Sequence, residues 1–184
     1  MSKGYVAAAF VMTCATLALG YLAFGSLTAL IFTAGFAGGF ILWAAFPFNG
    51  SWPNIRAPYF LSLVLFLLHR IEENQSGFFA RLAEISGTPT PALTSPALIA
   101  LLVASVGAWF SVPILLKRKH PLGAYFAWTF FASMGLTELA HFLVFPFLTG
   151  NPFTYFPGMA SVVVLAPAAW WGMWRLAAAR KYTA

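Results

Sequence analysis

The stretch PYFLSLVLFLLHRIEENQSGFFARLA, residues 58–83, decides the topology of the chain. Its first half, Tyr59 to His69, is apolar enough for only about half a membrane crossing. Its second half carries His69, Arg70, Glu72, Glu73 and Arg81. With Glu84 just beyond, three of the four acidic residues of the protein fall within twenty positions. A chain in which only 8% of residues are charged crowds its ionisable groups where greasy helix gives way to polar sequence.

Composition supplies the setting. Of 184 residues, 61% are hydrophobic and 18% aromatic, too little polar surface for a water-soluble domain of this length. The expected class is an all-α integral membrane protein forming one domain over residues 1–184. The first apolar run is too long for a cleavable signal peptide and leads straight into a second. Cys14 is the single cysteine, which excludes an intrachain disulfide; a packed, unreactive thiol is expected there.

A transmembrane helix takes about 20 apolar residues. Six candidates emerge, at about 5–24, 27–46, 58–83, 96–116, 122–148 and 153–175. The first two are separated only by Gly25 and Ser26, so a tight hairpin is required. In the second, Gly35 and Gly39 form a GxxxG pattern that permits close helix contact. Charge distribution argues that 58–83 crosses. With six spans and both termini cytoplasmic, Lys3, Arg56, Lys117, Arg118, Lys119, Arg175, Arg180 and Lys181 lie on the inner side. Only Arg70 and Arg81 fall in or beyond the outer half, giving the positive-inside asymmetry of cell-membrane proteins. Omitting the third span would move KRKH, residues 117–120, outside. The net charge of +6 then reflects orientation and lipid contact, not nucleic-acid binding. Trp170, Trp171 and Trp174 beside Arg175 are expected to form an interfacial belt.

This topology immerses the polar cluster. At about 1.5 Å per residue Glu72 lies roughly 21 Å from Pro58, within the outer half of the hydrocarbon. Residues three and four apart on a helix share a face, so His69, Glu72 and Glu73 are expected to project together, with Arg70 and Asn74 on the flank. The fifth span holds the only other intramembrane acid, in GLTELAHFLVFP, where Glu138 and His141 are again three apart. Glu138 lies roughly 24 Å from Leu122, a similar depth. An ionised group at the bilayer centre costs about 2.5–3.5 kcal/mol. Arg70 offsets one carboxylate. The other two must be protonated, paired with histidinium or bound to a metal, and a divalent zinc or iron balances both charges. The expected ligands are His69, Glu72, Glu73, Glu138 and His141, with Glu72, Glu73 and Glu138 as candidate catalytic carboxylates. Glu-x-x-His units also occur in carboxylate-bridged di-metal bundles, although those usually hold four carboxylates. The plainer alternative is polar packing between helices. His120 reads as a solvated loop residue, and Arg81 and Glu84 as a surface pair.

His69-Arg70-Ile71-Glu72-Glu73, followed by SGFFARL, resembles the signature of a family of small bacterial membrane proteins named for its HXXEE motif. A second similar region, residues 140–167, contains His141 and a Tyr155-x-Pro157-Gly158 turn opening the last helix. The resemblance covers most of residues 66–168. It implies a bacterial inner-membrane helical protein and a site including Tyr155, but no reaction. Glu138 stands where similar proteins often have asparagine.

Three functions fit these residues. The first is a metal-dependent enzyme acting on a lipophilic small molecule within the bilayer. The second is a metal-free acid–base isomerase, similar in logic to sterol isomerases of the emopamil-binding type. The third is a transporter or proton pathway, against which the ionisable groups form one layer instead of a ladder.

Overall fold

The structure is a computed structural model describing residues 2–46 and 51–178. Every regular element among them is helical: α1 (Lys3–Ala45), α2 (Trp52–Gln75), α3 (Phe78–Ser86), α4 (Pro96–Lys117), α5 (Pro121–Gly135), a 3-10 turn (Thr137–Leu139), α6 (Ala140–Leu143), α7 (Phe145–Leu148) and α8 (Met159–Ala178). Three segments are long and apolar enough to cross a membrane: Lys3–Ile31, Pro96–Lys117 and Pro121–Leu148. In the most apolar window of the first two, only 22% of residues are buried within the protein. Leu22, Leu30, Val103 and Phe110 face outward, as suits a lipid solvent.

α1 is two antiparallel arms. Gly25, at φ 74° and ψ −177°, interrupts the helical backbone. The Phe10 and Phe40 rings are 5.9 Å apart, where an unbroken helix would separate these residues by roughly 45 Å. The hairpin that the short Gly25-Ser26 connection demands is therefore present. Cys14 is exposed on the first arm, not packed inside as expected.

α5 is the central rod. Every residue from Gly123 to Gly135 is buried, surrounded by α1, α4 and α8. The core is largely aromatic: Trp43, Tyr59, Tyr125, Trp128, Phe130 and Phe131 are almost wholly enclosed. The second arm of α1 approaches α5 backbone to backbone. A Cβ on Gly39 would lie 2.5 Å from Thr129 Cα, and one on Gly35 2.6 Å from Ser133 Cα. The GxxxG pair is thus the contact surface of this arm.

Three expected spans differ from single rods. The segment expected as one span at 58–83 starts earlier, where Ser51 and Asn54 form a reciprocal capping box. It stops at Gln75, because Gly77 takes a left-handed φ of 72° and α3 sets off anew. The segment expected at 122–148 passes from α-helix into a 3-10 turn at Leu136 and turns again at Val144, whose backbone leaves helical geometry. Pro146 accordingly begins the short α7 instead of kinking a long helix. The final helix begins at Met159, not 153, after an irregular Gly150–Gly158 segment. Arg180 and Lys181, counted in the inner charge, lie outside the described residues.

Tight approach at Gly39 gives a direct test. Gly39→Ala should cost about 1–3 kcal/mol by overpacking and lower the unfolding temperature in detergent. Gly107→Ala, whose Cβ would meet nothing within 4 Å, should leave that temperature unchanged or raise it slightly.

Candidate metal centre

Two half-sites meet between α2 and the broken α5–α7 path. His69 and Glu73, four apart on α2, point inward from one helical face. Glu138 comes from the 3-10 turn and His141 from α6. The break at Leu136 matters here, because it re-aims the chain after the rod of α5. Irregular backbone of this kind is tolerated in apolar surroundings where it is enclosed by protein.

The four residues alternate in charge type around a small centre. His69 Nε2 lies 3.4 Å from Glu73 Oε1 and 3.2 Å from Glu138 Oε2. His141 Nε2 lies 3.4 Å from the same two oxygens. One donor atom from each residue falls within 4.8 Å of all the others. Donors about 2.0–2.1 Å from a shared tetrahedral ion sit roughly 3.3–3.4 Å from one another. The four histidine–glutamate edges match that spacing.

Burial strengthens the fit. His69 and His141 are 0% exposed, Glu73 1% and Glu138 12%. His69 Nε2, Glu73 Oε1 and His141 Nε2 have no hydrogen-bond partner. Buried polar atoms are nearly always satisfied, and three orphans aimed at one point could be satisfied together by a cation held between them. The outer nitrogen of His69 supplies the orientation. Ser161 Oγ donates to the Gly158 carbonyl at 3.2 Å, leaving its lone pairs to accept from His69 Nδ1–H at 2.8 Å. With the Ser161 proton on Gly158 and the imidazole proton on Nδ1, Nε2 would present its lone pair to the centre, the tautomer a metal ligand needs. His141 Nδ1 has no such partner. Its ring is instead held by Phe78, Phe145 and Phe156, with centroids 5.2, 5.2 and 6.1 Å away. All three phenyl rings are essentially unexposed and form a dry collar.

Arg70 stands behind the cluster. Nη1 pairs with Glu73 Oε2, while Oε1 of the same carboxylate faces the histidines. The guanidinium carbon lies 5.6 Å from the Phe79 ring centre.

Glu72 is not in the cluster, which corrects the expectation that it shares a face with His69 and Glu73. It turns toward α8, where Ala160 N–H donates to Oε1 at 3.1 Å and Ser161 N–H to Oε2 at 2.8 Å. Tyr155 adds its hydroxyl to Oε1. Glu72 is therefore the carboxylate cap of the last helix, neutralised by its exposed N–H groups and dipole. Tyr155 serves that cap and not the histidines. Asn74 is exposed and lies outside the four-residue group. His120 caps α5 by accepting from Leu122 N–H at 3.3 Å, and Arg81 and Glu84 pair on the surface of α3.

Two contributors were invisible in sequence. Ser161 is 92 positions from its histidine partner, and a serine near a helix start carries no sign of such a role. Gly158, at φ 98°, presses against both imidazoles: a Cβ there would lie 2.7 Å from His141 Nδ1 and 2.8 Å from His69 Cε1. Only its place in the Tyr155-x-Pro157-Gly158 turn marked it.

Gly158→Ala should displace both rings and reduce bound metal at least tenfold, as read by elemental analysis of purified protein. Glu72→Gln should lower stability by about 1–2 kcal/mol through loss of the helix cap while metal content stays at the wild-type level.

Comparison with protein-family models, curated proteins and solved structures yields no match.

Proposed function

We propose that this protein is a membrane-embedded, metal-dependent enzyme acting on a lipophilic substrate. One observation carries the reading: two imidazole and two carboxylate donors from two separate chain segments converge, largely buried, at ligand spacing. Zinc and iron both accept mixed imidazole–carboxylate sets.

Such an ion would supply Lewis acidity, and since four protein donors fill a tetrahedral shell it would acidify a water only by taking it as a fifth ligand. The surrounding residues set the rest. His69 and His141 bind as neutral imidazoles, the first fixed by Ser161. Glu73 divides its oxygens between the centre and Arg70, so its charge is shared. Glu138 is the one ligand open to its surroundings, and its carboxylate is the group placed to accept or return a proton at the reacting end of the substrate. The phenyl collar excludes bulk water and favours a hydrocarbon body. Glu72, occupied at the start of α8, takes no part in this chemistry.

The topology belongs to the same proposal. The two arms of α1, α2 with α3, α4, the α5–α7 path and α8 provide six passages, with both termini cytoplasmic. The inner excess of lysine and arginine supports that orientation. The cluster then lies in the outer half of a bacterial inner membrane, and membership of the HXXEE-motif family is part of the same reading. A second reading, metal-free proton transfer in an isomerase, draws on histidine–glutamate separations of 3.2–3.4 Å. The convergence of all four donor atoms within 4.8 Å of one another, at the edge lengths of a tetrahedral shell, favours the metal.

Metal content tests the choice. Purified protein should carry about one zinc or iron per chain, falling below a tenth of that in His141→Ala and Glu138→Gln. A wild-type protein with sub-stoichiometric metal, unchanged by those substitutions, would overturn the proposal. Solvent deuterium appearing in the product of a metal-free preparation would instead establish the isomerase.

A further inference from the structure

Arg70 has more binding capacity than its known partners use. Its guanidinium offers five N–H donors in a planar fork. Among the described residues it meets one oxygen of Glu73 and the face of Phe79. Its side chain is 37% exposed, whereas Glu73 is 1% exposed. One edge of the fork is therefore held inside and the remainder faces out of the protein. In a polar solvent the outward donors would simply be hydrated. In the apolar setting proposed above they need an acceptor, and a cation there is costly without one.

Position makes this donor set more than a counter-ion. Glu73 Oε1 faces the four-residue centre and Oε2 faces Arg70, so about the width of one carboxylate, roughly 2 Å, separates the two environments. Glu138, the only partly exposed member of the cluster at 12%, shows that the centre is not wholly sealed. An oxyanion with two or three oxygens on one central atom spans such a gap, one oxygen at the centre and another on the guanidinium. Arginine is the residue suited to that bidentate contact; lysine offers only a point charge.

We infer that Arg70 forms an oxyanion subsite beside the metal centre, so that the ligand of this site is an amphiphile ending in a phosphate, phosphonate or carboxylate. The inference rests on the metal-enzyme reading for its inner contact, while the outer contact to Arg70 does not require metal. A phospholipid headgroup of the surrounding bilayer and a separate lipophilic acid share this chemistry.

Octylphosphonate is the probe, with octanol and octyltrimethylammonium as chain-matched controls, titrated calorimetrically into the full chain in a neutral detergent. Octylphosphonate should bind, and the two controls should bind at least tenfold more weakly. Arg70→Gln should weaken phosphonate binding at least tenfold. Arg70→Lys keeps a cation beside Glu73, so it should retain metal and still lose threefold or more. Metal content is measured in each variant. If wild-type protein holds no metal, the metal reading fails, yet phosphonate binding lost in Arg70→Gln still upholds the subsite. Equal phosphonate binding by wild type, Arg70→Gln and Arg70→Lys would overturn it, as would octanol binding as tightly as octylphosphonate. Phosphatidylglycerol added to the micelle distinguishes the source: competition identifies a bilayer headgroup, and its absence identifies a separate acid.

Discussion

Glu73 and Glu138 direct carboxylate oxygens into one largely buried space, within 4.8 Å of each other. At about 4 Å and an effective dielectric near 20, two like charges repel by about 4 kcal/mol. The two imidazoles between them relieve this only by becoming cationic or by sharing a cation. Arg70 reaches the far oxygen of Glu73 and leaves the inner pair facing each other. The arrangement of the neighbouring chain follows from this need. The 3-10 turn brings Glu138 across from α2, Gly158 closes over both rings, and Ser161 holds the outer nitrogen of His69.

Three polar side chains outside the centre serve helix ends. Glu72 caps α8, the Trp170 indole donates to the carbonyl of Gly135 at the end of α5, and His120 caps the start of that helix. Each supplies a backbone group that would otherwise be left unpaired in apolar surroundings. Trp170 thus pairs its indole N–H within the protein while its ring stays exposed, as do Trp171 and Trp174 beside Arg175.

Much of this was legible in the sequence, for reasons that differ by residue. The length of the first apolar run required a turn at Gly25, and spacing alone put His69 with Glu73 and Glu138 with His141. Spacing also misled at Glu72. Three residues after His69 and one before Glu73, it sits on the edge of the helical face, and only its partner decides its direction. That partner is the start of α8, almost ninety positions away. The breaks at Gly77, Leu136 and Val144 were hidden as well. Apolar runs say how much chain hydrocarbon can hold, and short irregular turns cost little in such a count.

α2 and α8 run antiparallel and are fastened at both ends. Glu72 near the end of α2 holds the first turn of α8, and Arg175 near the end of α8 donates to the Asn54 carbonyl in the first turn of α2, at 2.9 Å. Two such clasps, about 20–27 Å apart along the helices, prevent the pair from sliding past each other or parting like a door. The pieces from Leu136 to Leu148, which bring in Glu138 and His141, are by contrast short and joined by turns, with no paired clasp of this kind among the described residues.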